Sequence, residues 1–215
     1  MGAEEAQTEK LIKEKAKILF FQKGFLNATT QEIADEAGVN RALIHYYFRS
    51  RELMLEALLD ETLQEKRDRV RSVLTSDLPF REKIANYIDT IVDYGLKYPY
   101  LDNFIISETA RRPEKVKLFC AKDRFRSSDL IREALEQEIR KGIIAPISAE
   151  HFMVNLISLC NYPLLAKSVI QTIHGLTDTA YRKFLLERKD IIFRTIFDED
   201  MPELHVKEEL TKNRV

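Results

Sequence analysis

Apolar residues recur at helical spacing along most of the chain, and the pattern is broken at glycines, prolines and short polar runs. The first such segment, residues 8–23, carries apolar side chains on one face and lysines on the others, and Gly24 follows it as a helix terminator. No segment shows the alternation that marks a strand. The pattern therefore predicts an all-α chain of about nine helices.

Cap residues predict a group of short helices near the N-terminus. Thr29 is followed three residues later by Glu32, a capping box that predicts a helix ending at Gly38. Asn40 is suited to cap a further helix over residues 41–48. These two helices are joined by a short turn that contains glycine, which is the helix-turn-helix layout.

Beyond residue 50 the predicted helices become longer. They are expected over residues 51–74, within 79–99, and over 113–141, 148–174 and 178–197, with a short helix after Pro99 and a bend at Pro163. We therefore expect a three-helix helix-turn-helix domain over residues 1–55, a larger helical bundle over 56–200 and a polar tail over 201–215.

The composition fits a folded, helix-rich protein, since 32% of the 215 residues are charged and 45% are hydrophobic. No uncharged apolar window reaches about 18 residues, and the N-terminus has no apolar signal core, so we expect a cytoplasmic protein without a membrane partner. Cys120 and Cys160 are far apart and form no CxxC motif, which favours reduced thiols.

The net charge of −1 does not by itself favour a nucleic-acid partner. Residues 1–55 contain as many acidic as basic side chains. The basic ones are nevertheless clustered, as five lysines within residues 10–23 and as Arg41, Arg49 and Arg51 around the third helix. This distribution permits a local basic face.

The third helix has two different faces when it is projected at about 100° per residue. One arc contains Arg41, Ala42, His45 and Tyr46, and the opposite arc contains Leu43, Ile44 and Tyr47. The first arc carries groups that suit base edges and phosphates in a major groove, where arginine can bind guanine with two hydrogen bonds. The second arc suits a hydrophobic core.

The ordered motifs TTQEIADEAGV, HYYF and SRE resemble the N-terminal pattern of the TetR family of bacterial transcriptional regulators. The resemblance covers about residues 8–58, and it is specific because several independent elements occur in the same order. His45 stands where tyrosine is commonest in the family, Leu43 where a small polar residue is frequent, and Arg51 where lysine is usual.

The resemblance implies a DNA-binding protein. The residues expected to contact DNA are Thr30, Gln31, Arg41, Ala42, His45, Tyr46, Tyr47 and Arg51. The first two would approach the DNA backbone or a base edge, and the next three would face the bases. The tyrosine hydroxyls would reach phosphates, and Arg51 would bind a phosphate from the N-terminus of the fourth helix.

The resemblance also implies a homodimer on a palindromic operator, with a small effector bound in the larger domain. Candidate effector-binding residues are Tyr87, Tyr94, Phe104, Ile105 and Phe119, which favour a largely apolar ligand. Candidate dimer-interface residues on the last two long helices are Phe152, Leu156, Leu159, Phe184 and Ile191. For each of these residues, packing in the core of its own chain is the alternative.

The sequence contains no pattern that indicates catalysis. A glycine-rich phosphate loop and a GxSxG motif are both absent, and no histidine has a partner at metal-ligand spacing. We therefore expect no enzymatic activity, no metal and no cofactor. The predicted function is a ligand-responsive repressor, and the alternative is a helical small-molecule-binding or protein-interaction module whose helix-turn-helix no longer reads DNA.

Overall fold

The computed structural model describes residues 2–111, 127–198 and 202, and the prediction of an all-α chain is confirmed within them. The ten described helices are α1 (Gly2–Lys17), α2 (Thr30–Ala37), α3 (Arg41–Phe48), α4 (Arg51–Leu74), α5 (Phe80–Lys97), α6 (Leu101–Arg111), α7 (Ser127–Arg140), α8 (Ala149–Leu165), α9 (Lys167–His174) and α10 (Asp178–Phe197). Phe119, Cys120 and nearly all of the predicted tail lie outside the described residues.

The chain divides into two compact units. The described part of the first unit is residues 2–67 and 94–111, and that of the second is residues 68–93 and 127–198. The boundary predicted from the sequence, at residue 55, falls inside α4, and the first unit also contains α6. The division at residue 55 into a helix-turn-helix domain and a larger helical bundle stays a prediction.

The core of the first unit is formed by one face of each of its helices. The apolar face predicted for α1 is confirmed, because Ile12, Ala16, Leu19 and Phe20 are all buried. These side chains pack with buried residues of α2, α3 and α4, with Tyr94 of α5 and Leu101 of α6, and with Tyr98 between those two helices. The helix-turn-helix is therefore part of a larger helical core.

A single π-helical turn, Ile18–Gln22, follows α1 directly. It contains Phe21, which is completely buried and whose carbonyl oxygen accepts a hydrogen bond from the Tyr100 N–H group at 3.1 Å. The Phe21 ring also meets the ring of Tyr98 edge-on, with 6.2 Å between centroids. The corner between α5 and α6 is thus attached to this turn.

Two shielded ion pairs connect α4 to its neighbours in the first unit. The ammonium group of Lys17 lies 2.8 Å from the Glu61 carboxylate, and that of Lys66 lies 2.8 and 3.1 Å from the two carboxylate oxygens of Asp102. Burial disfavours the charged form of Lys17, but the hydrogen bond and charge of Glu61 outweigh that effect and raise its pKa. These pairs hold α1 and α6 against α4.

The second unit is built around aromatic contacts and an ion triad. The ring of Phe80 contacts the rings of Phe152 and Phe197, with centroids 5.7 and 6.2 Å apart. Lys189 on α10 donates hydrogen bonds to Asp89 and Asp93 on α5, at 2.6 and 2.8 Å. The last helix is thereby fixed to α5.

A proline inside α8 leaves a carbonyl group that α10 satisfies. Pro163 has no N–H group, so the carbonyl of Leu159 loses its helical donor. A guanidinium nitrogen of Arg188 lies 3.4 Å from that oxygen, and the Tyr181 hydroxyl donates to the Pro163 carbonyl at 2.5 Å. A bend is present near the predicted position, but α8 continues through Pro163, and α9 leaves it at 70° only after Leu165.

Replacing Tyr181 with phenylalanine is expected to lower the free energy of unfolding by about 1–2 kcal/mol, because the buried Pro163 carbonyl loses its donor. Burial raises the pKa of Tyr181 to about 12, so the hydroxyl group is protonated and able to donate throughout the neutral range. Thermal unfolding should show a Tm lower by about 2–6 °C. Tyr100→Phe removes a hydroxyl from a partly exposed ring and should change Tm much less. Equal shifts for both variants would contradict the assigned role.

Among the described residues, no single helix is long and apolar enough to cross a membrane, and only α8 and α9 taken together across their bend would be.

Candidate functional site

Local caps place α2 and α3 as predicted. The Thr29 hydroxyl accepts the Glu32 N–H group at 3.2 Å, and the Glu32 carboxylate accepts the Thr29 N–H group at 2.7 Å. The Glu32 carboxylate also accepts the Thr29 hydroxyl at 2.9 Å, and the two hydrogen bonds that it accepts from Thr29 lower the pKa of Glu32. Gly38 adopts a φ of 66° and ends α2, and the Asn40 side chain accepts the Ala42 N–H group at 2.8 Å at the start of α3. The predicted helix-turn-helix is confirmed.

The two faces predicted for α3 are also confirmed. The exposed side chains are those of Arg41, Ala42, His45 and Tyr46, whereas Ile44 and Phe48 are buried and Leu43 and Tyr47 are partly buried. Tyr46 has 69% of its surface accessible. One side of α3 is therefore available to enter a groove, while the other packs against the core.

The guanidinium group of Arg41 is held in place at the start of α3. Its Nε–H group donates to the Thr30 hydroxyl at 3.0 Å, and Thr30 itself is buried. The two terminal amino groups of Arg41 remain available for an acceptor pair such as guanine O6 and N7. Thr30 is thus placed to orient Arg41, while Gln31 is exposed and donates from its amide to Asp35 at 2.7 Å.

His45 is oriented by the chain that leaves α3. Its Nδ1 atom lies 3.3 Å from the carbonyl oxygen of Arg49, so the tautomer with a proton on Nδ1 can donate there. In that tautomer Nε2 is an acceptor, which suits an exocyclic amino group of cytosine or adenine. The base contact of His45 stays a prediction. In that contact, Nε2 of His45 would accept a hydrogen bond from the base.

The two adjacent tyrosines occupy different environments. Their rings meet edge-on with 5.0 Å between centroids. The hydroxyl of Tyr47 donates to the Glu5 carbonyl of α1 at 3.2 Å, whereas Tyr46 points to solvent. Tyr46 therefore has the geometry expected for a phosphate contact. The hydroxyl group of Tyr47 instead donates its hydrogen bond within the protein, to α1.

Arg51 is largely engaged within the protein. Its Nε–H group donates to the Ala28 carbonyl at 2.7 Å, one terminal amino group donates to the Leu26 carbonyl, and the other lies 3.3 Å from the Glu52 carboxylate. The guanidinium carbon is also 5.9 Å from the centroid of the Phe20 ring. In this geometry Arg51 fastens the loop before α2, so its predicted phosphate contact competes with three internal interactions.

A residue absent from the predicted contacts is more exposed than Arg51. Arg49 follows α3 directly, is exposed, and has a φ of 62°. The available sequence signal is an arginine between Phe48, the last residue of α3, and Ser50, at a helix end where glycine is usual. That signal does not reveal the backbone conformation, so sequence reasoning missed it.

A cavity of about 360 Å³ lies beside Arg51 in the first unit. Its walls include Leu55 and Leu59 of α4 and Phe104 of α6, and its rim includes Glu52 and Arg111. The cavity therefore joins apolar walls to charged groups at the start of α4.

The predicted effector-binding residues are divided between the two units. Tyr94 is buried in the core of the first unit, and Phe104 and Ile105 pack against that core. Tyr87 is buried in the second unit, and Phe119 lies outside the described residues. Their assignment to an effector site stays a prediction.

The predicted dimer-interface residues also divide into two groups. Phe152 and Leu156 are buried in the core of the second unit, whereas Leu159 and Phe184 are partly exposed and Ile191 is exposed. A cavity of about 480 Å³ that is lined by Leu159 opens beside α8 and the end of α10. The geometry favours the last three residues as surface candidates.

Within the described residues, no group of three or more histidine, cysteine, aspartate or glutamate side chains could hold a metal ion. Cys160 is buried.

Residues 12–58 match the family model of bacterial regulatory proteins, tetR family. The probable HTH-type transcriptional regulator YttP of Bacillus subtilis (strain 168) is 27% identical over 199 residues, which cover 88% of this chain and 94% of that protein. The HTH-type transcriptional regulator BetI of Agrobacterium fabrum is 41% identical over 63 residues, which cover 29% of this chain and 30% of that protein.

The fold is similar to that of solved structures. A TetR family transcription regulator from Marinobacter aquaeolei VT8 superposes with a TM-score of 0.59 at 17% identity, covering 91% of this chain and 98% of that one. The apo form of AibR superposes with a TM-score of 0.60 at 17% identity, covering 86% of this chain and 96% of that one. The likeness extends beyond the helix-turn-helix to most of the chain.

Proposed function

The chain belongs to the TetR family of DNA-binding transcriptional regulators, and we propose that it acts as a ligand-responsive cytoplasmic repressor that binds a palindromic operator as a homodimer. The single observation that carries the proposal is the exposed arc of α3, which combines Arg41, His45 and Tyr46 on a short helix whose other side is packed. Such an arc can enter a major groove while the helix remains fixed to its own core.

The homodimer is supported by an uncharged surface on α8. From His151 to Leu165 this helix contains no aspartate, glutamate, lysine or arginine, although Val154, Asn155, Ser158 and Tyr162 are exposed. We call these four residues the α8 face. A charge-free exposed face about 12 Å long is unusual for a surface that stays in water, and it suits burial against a second copy.

The α8 face borders the end of α10, because Asn155 and Ser158 line the same cavity as Ile196. Ile191 is 49% exposed, and Ile196 together with Leu159 lines the cavity beside α8. A two-fold interface would bring the same helices of both copies together. Two recognition helices could then contact half-sites about one helical turn of DNA apart.

Ligand response is supported by the cavity beside Arg51. An effector that reaches Phe104 there would lie against the guanidinium group that holds the loop before α2. It would favour one arrangement of that loop, and DNA affinity would change by the difference in effector affinity between the arrangements. Four apolar residues and seven polar or charged residues line this cavity, so it suits a small molecule that combines an apolar part with polar or charged groups.

Operator binding can be tested by a mobility-shift assay on the DNA that flanks the protein's own gene. A palindrome-dependent shift at moderate salt is expected, with two subunits bound per site. A shift with the same affinity for a scrambled duplex would contradict sequence-specific binding and would favour the non-reading alternative. Effectors can be screened by the rise in Tm that they cause, which grows with ligand concentration.

Replacing Arg41 with alanine is expected to relax discrimination at one or two base pairs of each half-site by about 1–3 kcal/mol. The reason is that the substitution removes the two hydrogen bonds from the guanidinium group to guanine. Competition binding with single-base variants of the operator measures this. Tyr46→Phe removes a hydroxyl suited to a phosphate and should weaken all sequences to a similar extent. Uniform weakening by Arg41→Ala would contradict the base-reading role.

A further inference from the structure

We propose that Arg49 anchors the C-terminal end of each recognition helix to a DNA phosphate, the role for which the family pattern suggests Arg51. The inference rests on the proposed operator binding. It concerns the chain just after α3, where an exposed arginine occupies a backbone conformation that L-residues rarely adopt.

The backbone at Arg49 is held by two hydrogen bonds. Its N–H group donates to the His45 carbonyl at 3.0 Å, and the Ser50 N–H group donates to the Phe48 carbonyl at 2.7 Å across a tight turn centred on Arg49. The φ and ψ of 62° and −45° correspond to the rare, strained γ-turn. The surrounding structure therefore keeps a conformation that a side chain with a β-carbon disfavours.

Other positive-φ positions show what residue this geometry usually takes. Among the described residues, Gly24, Gly38, Gly142 and Gly175 fill four of the six such positions, and the remaining two are Arg49 and Asp198. A glycine would fit the turn after α3 without strain. The presence of an arginine at a strained position beside the recognition helix points to a role for its side chain.

Of three neighbouring arginines, Arg49 is the one whose side-chain donors are all available. Arg41 uses its Nε–H group on Thr30, and Arg51 donates to two loop carbonyls. Arg49 is exposed, and it makes no side-chain hydrogen bond or ion pair with the described residues. All five of its donors can therefore serve a phosphate.

The position of Arg49 favours a phosphate over a base. It lies eight residues beyond Arg41, or about 12 Å further along the helix direction. The first residues of a recognition helix usually reach base edges, and the chain beyond the helix moves back towards the DNA backbone. A cation held rigidly there would fix how deeply α3 enters the groove without reading sequence.

The test distinguishes the effect of backbone strain at residue 49 from the effect of its side-chain charge. Arg49→Gly removes both strain and charge, Arg49→Asn keeps a residue that tolerates positive φ but removes the charge, and Arg49→Lys keeps the charge. Arg182→Gln on α10 removes one exposed charge per subunit from the second unit and serves as the control for net charge. Operator affinity is measured at several salt concentrations, and Tm is measured by thermal unfolding.

We expect Arg49→Gly to raise Tm by a few degrees while it weakens operator binding by roughly tenfold or more. The slope of log affinity against log salt should become shallower by about 2 for a homodimer, since each subunit loses one phosphate contact. Arg49→Asn should show the same loss and slope without the gain in Tm. Arg49→Lys should keep most of the slope, and Arg182→Gln should keep wild-type affinity and slope.

Wild-type affinity and salt slope in both Arg49→Gly and Arg49→Asn would overturn the proposal. A loss matched by Arg182→Gln would also overturn it, because net charge would then explain the effect. If these variants bind the operator with wild-type affinity, and the wild-type protein still gives a palindrome-dependent mobility shift, only the proposed role of Arg49 is contradicted. If the wild type shows no palindrome-dependent binding, the proposed operator binding fails instead.

Discussion

Replacing Ser158 with glutamate is expected to dissociate the homodimer and to weaken operator binding by at least about a hundredfold. Ser158 lies in the middle of the α8 face and is exposed in the single chain, so the substitution should not disturb the chain's own core. In a two-fold interface, one substitution places two like charges close to each other in a region that contains no basic side chain on α8. Burying unpaired charges of this kind costs about 3–5 kcal/mol.

Analytical ultracentrifugation measures the dissociation of the dimer, and a mobility-shift assay measures the loss of DNA affinity. Gln137→Glu adds the same charge to an exposed position of α7 in the same unit and is expected to leave both quantities unchanged. A Ser158→Glu variant that remains dimeric would show that the α8 face is not the interface. A monomeric variant that keeps full operator affinity would show that dimerisation is not required for binding.

Replacing Phe21 with alanine is expected to destabilise the first unit by about 3–5 kcal/mol. The ring is completely buried, and it packs against the rings of Phe20 and Tyr98 with centroid distances of 6.2 Å in both cases. A loss of this size is a large fraction of the usual stability of a domain, about 5–15 kcal/mol. Operator binding should therefore fall together with the folded fraction.

Phe25 provides the matched control, because it is four residues away and 59% exposed. Phe25→Ala should change the stability of the first unit by no more than about 0.5 kcal/mol. Hydrogen exchange of peptides from residues 2–67, together with urea unfolding followed by circular dichroism, measures both variants within the correct unit. Similar losses for the two substitutions would contradict the packing role of Phe21.

The parts of the fold that depend on neighbours in sequence were predictable. The capping box of Thr29 and Glu32, the cap at Asn40 and the bend after Pro163 all act over a few residues, so their residue types reveal them. The bond from the Tyr100 N–H group to the Phe21 carbonyl connects residues far apart in sequence. Nothing in the local pattern around residue 21 indicates that partner.

The candidate site shows the same division. The two faces of α3 follow from helical geometry and were predictable, as the exposure of His45 and the burial of Ile44 demonstrate. The engagement of Arg51 was not predictable, since its acceptors are backbone carbonyls of Leu26 and Ala28 that every residue possesses. Only the folded chain shows which carbonyls are near.

For the dimer candidates, periodicity had a different limitation. The helix α8 is apolar almost all round, so its sequence does not distinguish side chains facing the chain's own core from those facing outward. Leu156 is fully buried within the second unit, whereas Leu159 lies on an exposed cavity wall. The missing information is the position of α10, which covers one side of α8 and leaves the other open.

The π-helical turn Ile18–Gln22 has a consequence for how this chain should align with its relatives. A π-turn holds one residue more than the α-helical turn it replaces. A related chain with an uninterrupted first helix would therefore show a one-residue gap at this point, with both flanks in register. Deleting one residue here would rotate Phe21 by about 100° relative to the preceding helix and move its carbonyl away from Tyr100. Insertions and deletions in this turn are thus expected to be far less tolerated than in the loop that follows it.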